Sequence, residues 1–132
     1  MVSKFEAFMK QEIGLLFLRL TFAGNMMIAH GVPKLLNFSN ISSSFPDPLG
    51  VGSKISLSLA IFSELFCSLM IIFGIKTRIA AIPIIVTMLV ASFIINAGGP
   101  WTKQEFPLVY AYGFLSILFL GPGKYAVDKS TY

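Results

Sequence analysis

A histidine and a lysine, His30 and Lys34, stand one helical turn apart near the end of the first hydrophobic stretch. At that spacing both side chains lie on one helical face. They could donate hydrogen bonds to a quinone carbonyl, a carboxylate or a sulfur oxyanion, with Glu105 as a neighbour, and histidine also exchanges protons near neutral pH. A structural interpretation stays open, in which the lysine reaches the membrane surface and the histidine is solvated.

Two further ionisable residues, Arg19 and Glu64, fall inside apolar stretches. Charges are costly in hydrocarbon, and the expected depths of these two differ by about one helical turn, which an arginine side chain can span. The sequence therefore predicts an ion pair between the first two membrane helices. The pair could only fix how the helices dock, or it could also contact a ligand or carry protons; buried pairs do not necessarily add stability.

The element that positions most of these side chains is the stretch 13–36, which is long enough to cross a bilayer. At about 100° per residue Arg19, His30 and Lys34 fall within an arc of about 80°, together with Ala23 and Met26. Because ionisable groups avoid lipid, this face should turn towards other helices or a wet cavity.

Composition places the chain in a membrane. Of its 132 residues 55% are hydrophobic and 12% are charged, and its mean hydropathy is +0.80; soluble domains have about 25% charged residues. The formal charge of +4 comes from basic residues that lie singly at the ends of hydrophobic segments, so nucleic-acid binding is not expected. One cysteine and one histidine exclude a disulfide, a CxxC pair, an iron–sulfur cluster or a two-histidine haem within one chain.

The hydrophobic pattern predicts an all-α membrane protein, a bundle of four transmembrane helices that forms one domain over 1–132. Small residues line faces of the second and third spans, which favours close helix contacts and self-association. The predicted spans are 13–36, 55–74, 77–97 and 104–120, with an outer loop at 37–54 that folds against the membrane or over the bundle.

Six lysines and arginines flank one side of these spans and three flank the other, which predicts that both termini are cytoplasmic. The stretch 1–12 lacks the features of a cleaved signal peptide and is expected to form a short interfacial helix. The first set is Lys4, Lys10, Lys76, Arg78, Lys124 and Lys129; the second is Lys34, Lys54 and Lys103.

Seven residues are therefore candidates for a ligand site or polar cavity between the helices, without an assignable catalytic residue. Cys67 is interpreted as an inert core residue, and the sequence contains no metal-ligand spacing, phosphate loop or nucleophile motif. The candidates are Arg19, His30, Lys34, Glu64, Asn96, Glu105 and Tyr112.

The order of short motifs resembles the DoxX family over about 13–128. The resemblance implies a small four-helix protein of the bacterial cytoplasmic membrane, with relatives that include a membrane subunit of a thiosulfate:quinone oxidoreductase and proteins linked to oxidative stress or quinone resistance. The motifs are the early arginine Arg19, H-G-x-x-K (His30, Gly31, Lys34), Glu64, G-x-x-x-R (Gly74, Arg78), Glu105 and a closing G-x-G…D (Gly121, Gly123, Asp128).

Residues and resemblance together favour a membrane component of a quinone-related redox or detoxification system, with a quinone as the non-covalent ligand. Such a chain would be a subunit without independent catalysis, either self-associated or bound to a redox partner protein. Two alternatives stay open: a small transporter for a weak acid, a phenolic compound or protons, and a membrane anchor for a soluble enzyme.

Overall fold

The computed structural model describes residues 2–128, and these form helices without a β-strand. Three helices are long and apolar enough to cross a membrane. The fourth bundle helix begins with a polar turn that contains Lys103 and Glu105, so its crossing of the membrane stays a prediction. We label the helices α1 (Lys4–Leu36), α2 (Phe38–Ile41), α3 (Ser53–Phe73), α4 (Thr77–Ile95) and α5 (Trp101–Leu120).

Helix α1 begins nine residues earlier than the predicted span, so the stretch expected as an interfacial helix is helical from Lys4 and continuous with the span, and its place at the membrane surface stays a prediction. The Ser3 side chain accepts a hydrogen bond from the Glu6 amide, and the Glu6 side chain accepts one from the Ser3 amide. This reciprocal cap satisfies amides of the first turn. No proline follows before Pro33, and the helix therefore continues without a break into the apolar stretch.

The four long helices run alternately up and down, and each packs against two others: α1 on α3, α3 on α4, α4 on α5, and α5 on α1. The core between them is built from small and medium apolar side chains, with the buried ring of Phe114 at its centre. The chain after α5 returns to the start of α1, where Lys124 lies over the Phe8 ring. We call this the tail end of the bundle and the opposite one the loop end. Which end faces the cytoplasm stays a prediction, and Lys129 lies outside the described residues.

Asp47 fixes the connection between α2 and α3 at the loop end. Its carboxylate accepts hydrogen bonds from the Val51 and Gly52 amides, at 3.0 and 2.8 Å, and from the Ser56 hydroxyl at 2.9 Å. The Gly52 amide, then the Ser56 hydroxyl, hold the pKa of Asp47 below its ordinary value because they stabilise the charged form. The loop is therefore tied to the first turn of α3.

Each of the first three long helices contains a wider turn with i→i+5 hydrogen bonds, at Met27–Gly31, Phe62–Cys67 and Ala91–Ile95. Such π turns are rare and occur frequently at functional sites. The first two meet at Gly31, where an added Cβ would lie 2.8 Å from the backbone of Glu64 and Leu65. The absence of a side chain there lets α1 approach α3 closely, which sets the position of the polar residues on both.

Candidate functional site

An ion pair between Lys34 and Glu64 joins α1 and α3. The Lys34 Nζ atom donates a hydrogen bond to Glu64 Oε1 at 3.1 Å and lies 2.9 Å from Oε2. The side chain of Glu64 is 4% exposed and that of Lys34 is 22% exposed, so the carboxylate is enclosed and the ammonium reaches an opening. The predicted pairing of Glu64 with Arg19 is wrong.

Arg19 instead binds backbone carbonyls at the tail end. Its Nε and Nη2 atoms donate to Ile71 O and Ile72 O at 2.9 and 2.8 Å, and Nη1 donates to Pro122 O and Tyr125 O at 3.0 and 2.6 Å. The residue is 1% exposed. Carbonyls in the last turn of a helix lack partners within the helix, and the guanidinium satisfies two of them on α3 while it holds the returning chain. Arg19 thus has a structural role, and it lies away from Glu64.

The direction of the side chains explains this pairing. Side chains on a helix lean towards its N-terminus. Arg19 therefore leans towards the tail end, whereas Glu64, on the antiparallel α3, leans towards the loop end. Lys34 leans from the loop end into the bundle, so it meets the carboxylate that Arg19 points away from.

His30 lies one turn below Lys34 and is half-buried. Its ring packs near the rings of Phe106 and Tyr110, with centroids 5.8 and 5.5 Å away. The His30 Nε2 atom is buried and has no hydrogen-bond partner among residues 2–128. A buried polar atom without a partner is unusual and calls for a ligand or water that satisfies it.

His30, Lys34 and Glu64 line a cavity of about 460 Å³ at the loop end, which we call the polar cavity. Its volume lies in the range of small-molecule sites. The lining consists of His30, Lys34, Glu64, Met88, Ala91, Asn96, Thr102, Lys103, Phe106 and Pro107.

The structure brings together four of the seven candidates, since Asn96 also lines this cavity, where its amide donates to Ala91 O at 2.9 Å. Arg19 lies near the tail end. Glu105 and Tyr112 are exposed on α5 and do not line the polar cavity. The positions of these two side chains therefore do not support their predicted roles in ligand binding.

Sequence reasoning missed the contribution of α5, where Lys103 and Phe106 line the polar cavity and Tyr110 packs against the His30 ring. These residues follow one another at steps of three and four, so they lie on one helical face. This spacing could have indicated a shared face. However, a lysine near the end of a span is typical of the membrane interface, and aromatic residues in a span are typical of lipid contacts. Contacts with the His30 ring distinguish this face from the outward one.

The burial of Glu12 was also not predicted from the sequence. The residue is 2% exposed, and its carboxylate accepts a hydrogen bond from the Lys124 amide. The tail end of the bundle carries further hydrogen bonds of this kind, since the Asp128 carboxylate accepts from the Lys76 amide at 2.6 Å and Arg78 Nε donates to Leu118 O at 3.1 Å. Asp128 and Arg78, both motif residues, thus fasten helix ends and do not line the polar cavity.

The polar cavity combines cationic donors, a carboxylate acceptor and an imidazole beside an aromatic ring. This set can hold a flat molecule whose oxygen atoms accept or share hydrogen bonds. In the described part of the chain no three histidine, cysteine, aspartate or glutamate side chains are grouped to hold a metal ion.

Comparison with known proteins identifies a family. The DoxX family model matches residues 14–97. An uncharacterized protein of Haemophilus influenzae is 29% identical over an alignment of 96 residues, which covers 69% of this chain and 64% of that protein, so the match spans less than two thirds of the relative. No solved structure matches the chain. Because the family model covers more than half of its length, this helical membrane protein belongs to the DoxX family.

Proposed function

We propose that this protein is a component of the bacterial cytoplasmic membrane that binds a quinone, or a similarly flat phenolic molecule, in the polar cavity. In this role it serves a quinone-related redox or detoxification system. The observation that carries the proposal is the buried, unpartnered Nε2 atom of His30, a residue that lines the polar cavity beside the Lys34–Glu64 ion pair.

The lining supplies what each part of such a ligand requires. A quinone ring can pack against Phe106, because aromatic faces and edges attract each other. Its carbonyl oxygens only accept hydrogen bonds, and the ammonium groups of Lys34 and Lys103 donate them. The hydroquinone form also donates, and Glu64 can accept. A neutral imidazole has one donor and one acceptor nitrogen, so His30 suits both forms.

The proposed membrane arrangement has four spans with both termini in the cytoplasm, as the charge asymmetry predicts. One cysteine provides no redox pair within a chain. Electrons would therefore come from a partner redox protein, or from a second copy bound through the small-residue faces, and this chain would act as the subunit that binds the quinone.

Ligand-induced stabilisation of the detergent-purified protein tests the proposal. A ligand at about 100 times its Kd stabilises the folded state by about 2.7 kcal/mol, so a tail-less methylated benzoquinone should raise the melting temperature by several degrees. His30→Phe keeps a ring of similar shape and removes Nε2, and it should abolish most of the shift.

Glu105→Gln provides the matched control, since this exposed residue lies outside the cavity on the first turn of α5. It should leave the quinone-induced shift unchanged. Absence of a shift in the unmodified protein, across several benzoquinones and naphthoquinones, would contradict the proposal. An equal loss in both variants would contradict the assignment of the site.

Transport of a weak acid, a phenolic compound or protons is the second candidate. The observation that favours it is that a further cavity of about 280 Å³ lies on the other side of the ion pair, with Lys34 and Glu64 in both linings. A pair between two cavities can act as a gate. Flux of catechol or protons in proteoliposomes, lost in Glu64→Gln, would support transport, and an inert result would exclude these two solutes.

A further inference from the structure

The second cavity is almost entirely apolar, and we call it the apolar cavity. It lies between the loop that follows α2 and the facing surfaces of α3 and α4, with Phe45, Leu49 and Ala60 among its lining residues. Two of its polar side chains are already engaged: the Ser56 hydroxyl donates to Asp47, and the Thr87 hydroxyl bonds Ser63 at 2.8 Å. Apart from Lys34 and Glu64, which bind each other, the lining that remains open to a ligand there is hydrocarbon surface.

The apolar cavity adjoins the polar cavity directly. Lys34, Glu64, Met88 and Ala91 line both. The wall between them thus contains the ion pair, one flexible side chain and one small side chain. A methionine adapts to different shapes, and an alanine leaves room beside it. Movement of the Met88 side chain would let a molecule with a polar head and a narrow apolar chain occupy both cavities at once.

We propose that the apolar cavity holds the hydrocarbon tail of the ligand whose ring lies in the polar cavity, so the ligand class is a lipid quinone and not a water-soluble one. This inference rests on the proposed quinone-binding function. It adds the loop segment 45–49 to the binding site, as the cover over the first part of the tail.

Mapping where the hydrocarbon tail binds tests this inference more directly than measuring how tightly the ligand binds. A lipid tail leaves hydrocarbon, not water, when it enters an apolar protein cavity, so its burial contributes little to binding. The probe is a benzoquinone with a decyl chain that ends in a photoactivatable diazirine. After illumination in liposomes, mass spectrometry maps the labelled residues. Labels are expected in 45–49 and on the inward face of α3 around Ala60.

Competition separates a bound tail from a dissolved one. With the probe well below its own Kd, a tail-less benzoquinone at about ten times its Kd should reduce the label in the apolar cavity about tenfold, because the ring and the tail bind as one molecule. Label confined to lipid-facing side chains such as Phe62 and Phe66, or label that the competitor leaves unchanged, would overturn the inference. The apolar cavity would then hold ordinary lipid or nothing.

A cavity-filling variant provides the second arm. Ala60→Phe puts a ring into the apolar cavity, whereas Ile55→Phe puts the same ring on the exposed face of the same helix. Ala60→Phe should lose the label at 45–49 yet keep the melting shift with tail-less quinone, and Ile55→Phe should keep both. If tail-less quinone gives no shift in the unmodified protein, the proposed function itself fails; a shift with misplaced label refutes the tail site alone.

Discussion

Replacing Lys34 and replacing Glu64 should lower the free energy of unfolding by unequal amounts. Lys34→Met leaves the carboxylate of Glu64 enclosed and without its counter-ion, with a side chain that is 4% exposed. Removal of one partner of a buried pair costs about 3–5 kcal/mol. Because the cavity lies beside Glu64 and admits water, we expect the lower figure, about 3 kcal/mol.

Glu64→Gln should cost less, about 1 kcal/mol, since the amide keeps a hydrogen-bond acceptor. The ammonium of Lys34, 22% exposed, can also turn towards the opening. In the double variant Lys34→Met/Glu64→Gln no charge remains, and a total cost of about 1 kcal/mol is expected. The single costs add to about 4 kcal/mol, so the expected coupling between the two sites is about 3 kcal/mol.

The assay is equilibrium unfolding in mixed detergent micelles at neutral pH, followed by circular dichroism. Lys54→Met and Glu105→Gln serve as controls, because both residues are exposed and surface substitutions change stability by less than about 0.5 kcal/mol. A double variant as unstable as the sum of the singles would refute the reasoning, since the two side chains would then act independently.

Three further outcomes follow from the packing and the hydrogen bonds. Gly31→Ala forces a Cβ against the backbone of α3 and should cost about 1–3 kcal/mol in thermal or detergent unfolding, whereas Gly24→Ala, with nothing within 4 Å, should be neutral or stabilising. Arg19→Lys cannot reproduce four donations to carbonyls and should lower stability by about 2 kcal/mol or more; an unchanged melting temperature would contradict the structural role. The lowered pKa of Asp47 means that its contribution to loop stability is present above the unfolded-state pKa and is lost as the pH falls through the folded-state value. Limited proteolysis of 42–52 should therefore accelerate at acid pH in the unmodified protein and be fast at all pH values in Asp47→Asn.

The helices and the polar character of one face of α1 could be predicted, because hydrophobic length and a 3.6-residue period are local properties of the sequence. The partner of Glu64 could not be predicted from depth alone. An estimate of depth along the span ignores that each side chain leans towards the N-terminus of its own helix. On the antiparallel helices α1 and α3 this lean points Arg19 and Glu64 away from each other.

The contribution of α5 to the site could not be predicted from the sequence for a different reason. A span with polar and aromatic residues all around gives no clear inward face, and only the packed position of Phe106 and Tyr110 against His30 shows which side faces the cavity. The π turns were equally unpredictable, since they depend on how α1, α3 and α4 fit together at residues such as Gly31 and leave no local sequence pattern.

The most direct test of quinone binding is native mass spectrometry of the protein released gently from its own membrane, with lipid extraction of the same sample. We expect a quinone at near-stoichiometric amount on the unmodified protein and its loss from His30→Phe, with Glu105→Gln retaining it. A folded protein that carries no quinone, or one that carries the same amount after His30→Phe, would rule out quinone binding beside His30.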